Sequence, residues 1–129
     1  MKIEQEIKVG EEIVIVSEST KNSFAVVFED NGQTGYFYAL ENRQEENQIL
    51  DALHIYNVEE AGDKNILSLV KIIWSKDELK SLLLIDDYPH AVFDFELKRG
   101  YCRKNFPVAD KTWTNFNHNW NDKALDLFE

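Results

Sequence analysis

The feature of the sequence that most restricts its fold is a series of short apolar runs joined by very short polar turns. Between residues 66 and 97, three such runs are separated only by residues 76–78 and residues 86–89. A parallel crossover needs a dozen residues or more, so turns this short make successive strands antiparallel neighbours. The pattern therefore predicts an antiparallel β-meander with strands over residues 66–75, 79–85 and 90–97.

The first half of the chain carries further runs of β-branched and aromatic residues, which favour strands. They predict four strands, over residues 2–9, 12–17, 23–29 and 35–40. Asp30-Asn31-Gly32-Gln33 supplies a hairpin turn before the last of these. Residues 45–58 fit both helical and strand spacing, and we expect a short helix or turn up to about Leu50 and a strand after it. The composition of residues 61–65 is that of a loop.

The C-terminal part shows a different periodicity. Trp113, Phe116, Trp120, Ala124, Leu127 and Phe128 fall on one helical stripe. The asparagines between the tryptophans are poor helix formers, so we expect a shorter helix over residues 123–128, capped by Asp122. The predicted fold is α+β, mainly β: an antiparallel β-meander sheet of about seven or eight strands with a C-terminal helix packed on it. Residues 1–129 are predicted to form a single domain.

The charge balance limits the kinds of partner. The chain has 24 acidic and 14 basic residues, a formal net charge of −10. Such a surface repels phosphate backbones, so we expect no nucleic-acid partner and favour a basic protein partner. No apolar stretch approaches the roughly 20 residues needed to cross a bilayer, and we expect no membrane partner. The N-terminal residues lack a signal-peptide pattern and Cys102 is the single cysteine, which predicts a cytoplasmic protein.

Three aromatic-rich segments resemble a known family. They are Gly35-Tyr36-Phe37-Tyr38-Ala39-Leu40, Ile49-Leu50-Asp51-Ala52-Leu53-His54-Ile55-Tyr56-Asn57-Val58 and Tyr88-Pro89-His90-Ala91-Val92-Phe93-Asp94-Phe95, with Gly100-Tyr101-Cys102-Arg103 following. The sequence is similar here to a family of small bacterial proteins classed as a domain of unknown function. The resemblance covers most of residues 10–107 and implies neither an activity nor catalytic residues.

Few residues suggest chemistry. Asp94 and Glu96 lie two apart on a predicted strand, and paired carboxylates can divide acid and base roles. Alternating charge is also typical of a solvated strand face, so we expect both to face water while Phe93, Phe95 and Leu97 point inward. No Gly-rich phosphate loop or nucleophile elbow is present. The sequence therefore predicts no catalytic residue and no cofactor.

The histidines predict no metal site, because none lies at a ligand spacing from another. We expect His54 to be a core residue and His90 to stabilise a turn. His118, between two tryptophans, is the histidine most suggestive of function.

A basic cluster surrounds Cys102. Lys98, Arg99, Arg103 and Lys104 could bind a phosphate or another anion, or balance the charge of a solvated loop. The same cations would favour the Cys102 thiolate as a nucleophile, a less favoured alternative.

The aromatic residues are the stronger indication. Tyr36, Phe37 and Tyr38 are consecutive, so in a strand they cannot all face one side. The outer aromatic surface is then either covered by residues 113–128, the alternative we favour, or offered to a partner. Tyrosine and tryptophan commonly anchor interfaces. The candidate interface residues are Tyr36, Tyr38, Trp113, His118 and Trp120.

Three functions are compatible with these features. The first is a non-enzymatic protein-binding module, of which an immunity-type or antagonist protein that masks a basic partner is one version. The second is an enzyme or binding protein for a small anionic ligand, which requires Arg99, Arg103, His118 or Cys102 to meet at a pocket. The third is a self-associating module, that is, a homo-oligomer.

Overall fold

Nine strands form the framework of the molecule. The computed structural model describes residues 1–43, 46–62 and 65–128. Within them the strands are β1 (Lys2–Ile7), β2 (Ile13–Glu18), β3 (Phe24–Asp30), β4 (Thr34–Arg43), β5 (Glu46–Asn57), β6 (Ser68–Trp74), β7 (Lys80–Ile85), β8 (Tyr88–Asp94) and β9 (Arg99–Cys102). Two 3₁₀ helices cover Val58–Glu60 and Asp122–Phe128. Neither is long and apolar enough to span a bilayer.

The strands are divided between two antiparallel sheets. The five-stranded sheet has the order β1-β6-β7-β8-β9, and the four-stranded sheet has the order β2-β3-β4-β5. Their inner faces share one apolar core, in which the rings of Phe37 and Phe93 stack at 5.2 Å. The prediction of a mainly β, antiparallel fold is confirmed, but the strands form two sheets instead of one. Stacking the sheets buries an apolar face of each, which one open sheet would leave in water.

Strand β5 corrects the expectation of a helix or turn before Leu50. The pairing of β5 with β4 shifts between Ala39 and Leu40, so Leu50 is an extra residue of a β-bulge. A bulge places two successive side chains on one side and so disturbs the period of two that marks a strand. Of the ambiguous segment, Glu45 lies outside the described residues, as do residues 63–64 of the predicted loop.

The last predicted strand ends earlier than expected. Strand β8 stops at Asp94, and a tight turn, in which Lys98 has a φ of 57°, leads into β9. The Asp94 carboxylate was expected to face water; instead it is 5% exposed and accepts a hydrogen bond from the Leu97 N–H at 2.9 Å. Leu97, expected in the core, is 48% exposed. The carboxylate closes the turn, so the predicted alternation stops at Asp94.

The C-terminal helix lies where the sequence places it. It packs Ala124 against Leu82, Val92 and Tyr101 on the outer face of the five-stranded sheet. The expected cap is wrong in detail, because Asp122 is the first helical residue and accepts a hydrogen bond from the Trp120 indole N–H at 2.7 Å. Asn121 caps instead, since its side-chain oxygen accepts from the Lys123 N–H at 2.9 Å.

We predict that Gly100→Ala destabilises the protein by about 1 to 2 kcal/mol, because the added methyl group overpacks the space between the sheets. A Cβ at this position would lie 3.2 Å from Asp51 Oδ2, from Leu53 Cδ2 and from Phe93 Cε1. Gly62→Ala is the matched control, because a Cβ there has no heavy atom within 4 Å. Urea unfolding measures both variants, and equal midpoints would refute the close packing at Gly100.

Candidate functional site

A buried hydrogen bond joins Asp51 on β5 to His118 near the C-terminus. The bulge in β5 turns Asp51 inward, where its Oδ2 lies 2.7 Å from His118 Nε2. The other ring nitrogen, Nδ1, donates to the Pro107 carbonyl oxygen at 2.6 Å. Both side chains are almost fully buried. Both ring nitrogens of His118 therefore have a hydrogen-bond partner.

Residues 105–128, which we call the C-terminal segment, close the gap between β5 and β9. The Cys102 N–H donates to the His118 carbonyl at 2.9 Å, and the His54 N–H donates to the Phe106 carbonyl at 2.8 Å. The Cys102 thiol donates to the His54 carbonyl at 3.0 Å, and burial raises its pKa. Cys102 and His118 are therefore packed internal residues, with a thiol held away from its nucleophilic form.

In the basic cluster, each of the two arginines lies between two aromatic rings, and both lysines are exposed. Arg99 lies between the rings of Tyr101 and Phe116, at 4.5 and 4.9 Å. Arg103 lies between Trp120 and Tyr88, at 3.9 and 4.8 Å. Lys104 pairs with Glu60 at 3.6 Å, and Lys98 is exposed in the turn before β9. The guanidinium groups thus hold the C-terminal segment against β9 through cation–π contacts.

His90 lies close to this cluster. Burial, followed by the charges of Arg103 and Lys104, lowers its pKa to about 4. The imidazole is therefore neutral near pH 7. Its ring makes an edge contact with Tyr88 of the same strand at 5.0 Å.

The outer face of the four-stranded sheet carries mainly apolar and aromatic side chains. Strand register aligns Val16, Val27, Tyr38 and Ala52 in one row across the four strands. A neighbouring row contains Val14, Glu29, Tyr36 and His54, and a third contains Glu18, Ala25, Leu40 and Ile49. We call these twelve residues the outer face.

The two tyrosines form the centre of the outer face. Their rings stack at 5.8 Å, and both are half-buried. Burial, with the carboxylate of Glu29 that accepts from the hydroxyl, raises the pKa of Tyr38. The ring of His54 contacts Tyr36 on one side and Phe106 on the other. These contacts fix the rings in place, so they offer a rigid surface.

The C-terminal segment does not cover the tyrosines as expected. Its helix, with Trp120, packs on the five-stranded sheet, and Trp113 contacts Phe93 and Phe95 at the core. Of the candidate interface residues, the structure therefore brings Tyr36 and Tyr38 together on the outer face. It places Trp113, His118 and Trp120 elsewhere, in contacts within the chain.

Groups suited to metal binding do not cluster in the part of the chain that the structure describes. It contains no cluster of three histidine, cysteine or acidic side chains able to hold a metal ion. Shallow depressions lie beside the β1–β2 loop, the β3–β4 hairpin and the β6–β7 turn. Their walls contain none of Arg99, Arg103, Cys102 and His118.

Two stacked antiparallel sheets, closed along one side by the C-terminal segment, define a β-sandwich protein. The sequence model of a bacterial family described as "Uncharacterized protein conserved in bacteria (DUF2251)" matches residues 7–129, and the chain belongs to this family. An "Uncharacterized protein" of Haemophilus influenzae is 42% identical over 115 residues, which cover 87% of this chain and 71% of that protein. No solved structure matches the chain significantly. The resemblance to a bacterial family of unknown function is confirmed.

Sequence reasoning missed Asp51 as the partner of His118. Its position inside the segment Ile49-Leu50-Asp51-Ala52-Leu53 was a usable signal, because a lone carboxylate in an apolar strand needs a buried partner.

We predict that Asp51→Ala destabilises the protein by about 3 kcal/mol, because it leaves the buried His118 Nε2 without its acceptor. Asp51→Asn is the matched control: the amide can donate to a neutral imidazole, so the loss should be clearly smaller. Urea unfolding at neutral pH measures both. Equal losses for the two variants, or no loss for Asp51→Ala, would contradict the role of the pair.

Proposed function

We propose that the protein is a non-enzymatic binding module that holds a basic partner protein on the outer face. The observation that supports this most is the unbroken row of Val16, Val27, Tyr38 and Ala52 across all four strands. An apolar centre with anchoring tyrosines is typical of protein interfaces. An antiparallel sheet that packs a core on one face ordinarily turns polar side chains to water on the other.

Charge supports a basic partner. Residues 10–60, which include the four strands of this sheet, contain eleven acidic and two basic residues. Glu18 and Glu29 belong to the outer face itself, and Glu12 precedes β2. Acidic groups around an apolar centre speed the encounter with a cationic surface and select against anionic ones. An immunity-type or antagonist protein that masks a basic toxin is one member of this class.

The alternative, a site for a small anion in the basic cluster, has less support. Arg99 and Arg103 are engaged with aromatic rings, and Arg103 also lies 3.9 Å from Asp122. Lys104 faces Glu60. These contacts already provide internal partners for three of the four cations.

We predict that Tyr38→Ala weakens partner binding at least about tenfold, because truncating a central aromatic anchor removes much of an interface's binding energy. The immobilised chain is exposed to an extract of a bacterium that encodes a family member. The retained protein should be basic and released at about 0.5 M salt, which shortens the screening length to a few ångströms. Tyr88→Ala is the matched control, an exposed tyrosine on the five-stranded sheet.

Binding that survives Tyr38→Ala, or that Tyr88→Ala reduces equally, would refute the outer face as the binding surface. Retention of acidic proteins alone would refute the basic partner.

A further inference from the structure

Strand β2 is an edge of the four-stranded sheet, and its outward-pointing backbone groups pair with no other strand among the described residues. At the end of the β2–β3 ladder, the Ser19 N–H donates to the Phe24 carbonyl at 3.0 Å. The register is regular, so Ser17, Ile15 and Ile13 bond to β3 in the same way. The N–H and C=O groups of Val14, Val16 and Glu18 consequently point to the open side of the sheet.

The other edges of the sandwich are covered or guarded. At the β5 edge, the His54 N–H and C=O bond to Phe106 and Cys102. At the β9 edge, the Cys102 N–H bonds to His118. Strand β1 carries Lys2, Glu4 and Glu6 among its six residues. Charged side chains of this kind are the usual protection of a free edge against pairing.

Strand β2 has a charged side chain only at its last residue, Glu18. Residues 13–17 read Ile-Val-Ile-Val-Ser, with no charge and no proline. Val14 and Val16 are 57% and 51% exposed, and both belong to the outer face. An edge strand whose first five residues carry no charge, beside a mainly apolar face, is a template for an added strand.

We propose that β2 receives an extended basic segment of the partner, which adds to the sheet as a fifth strand and continues the outer face. This inference rests on the proposed function and specifies how the partner binds. Glu11 and Glu12 precede β2, and Glu18 ends it. Lysine or arginine side chains at the ends of the added strand meet these carboxylates, while the valines pack against apolar side chains between them.

A second copy of this chain fits the edge less well. In one register available to two copies, Val14 lies opposite Val16 and Glu12 lies opposite Glu18 twice. Like charges directly opposite each other destabilise a strand pair. Two chains that each carry a formal charge of −10 also repel at low salt.

Amide exchange with a synthetic probe tests the added strand. The probe is the heptapeptide Lys-Thr-Val-Thr-Val-Thr-Lys with blocked termini, added to the full chain at low salt; its lysines and valines share one side of the strand. We expect the amides of Val14, Val16 and Glu18 to exchange at least about tenfold more slowly with the probe, because they become hydrogen-bonded. The amides of Ile15 and Ser17, already bonded to β3, should change little. The same peptide with glutamate in place of lysine should not protect the edge.

Val16→Pro supplies the decisive variant. Proline removes an N–H that points to the open side and breaks no bond within the sheet, as tolerated at edge strands. We expect at least about tenfold weaker binding of the lysine probe, with Ile15 and Ser17 still protected. Glu4→Pro is the matched control: it removes an outward-pointing N–H from β1, the edge strand of the other sheet, and should leave binding of the lysine probe unchanged. Val14→Pro replaces Val16→Pro if the latter unfolds.

The outcomes separate the two proposals. A probe that does not bind, or that binds without protecting Val14, Val16 and Glu18, contradicts the added strand. If the captured partner is lost with Tyr38→Ala but retained with Val16→Pro, the result supports the outer face as the binding surface and contradicts the added strand. If both variants retain the partner, the proposed function itself fails. Pairing of two chains instead would appear as a doubled solution mass that Val16→Pro abolishes, which also contradicts the proposal.

Discussion

The hydrogen bond between Asp51 and His118 fixes the course of the C-terminal segment and, through it, the closure of the sandwich. It holds this segment in the gap between β5 and β9, where further backbone bonds satisfy His54 and Cys102. A buried carboxylate and imidazole are costly to remove from water unless each is paired, so the pair forms only when the whole segment is in place. The bulge at Leu50 and the absence of a side chain at Gly100 give Asp51 the space it occupies.

This closure also decides which surfaces stay open. The segment continues across β9, where Arg99 and Arg103 stack on its aromatic rings, and its helix then covers the outer face of the five-stranded sheet. On the outer face of the four-stranded sheet, Val14, Val16 and Ile49 remain more than half exposed, and β2 remains a free edge. The proposed binding surface is thus a consequence of how the chain folds back on itself. The charge of the proposed surface favours a basic partner, because residues 10–60 carry most of the net negative charge of the chain.

Local features could be predicted from the sequence, and pairings between distant segments could not. The hairpin at Asp30-Asn31-Gly32-Gln33 and the short turns between β6, β7 and β8 depend on neighbouring residues. The division into two sheets depends on which apolar faces meet, and the sequence contains no local signal for that choice. The bulge at Leu50 produces a spacing that resembles a helix. Residues 95–97 continue the strand pattern into the turn that Asp94 closes, so the sequence does not predict β9. The placement of Tyr36 and Tyr38 on the side opposite to Phe37 could be predicted from their pattern, whereas the burial of Asp51 is explained only by its distant partner His118.

Photocrosslinking in living cells tests the location of the binding surface most directly. A photoreactive phenylalanine analogue replaces Tyr36 on the outer face in one chain and Leu97, in the exposed turn after β8, in another. We expect the analogue at position 36 to form an adduct with a basic protein and the analogue at position 97 to form none with it. An adduct with the same protein at position 97 alone, or at both positions equally, would contradict binding through the outer face.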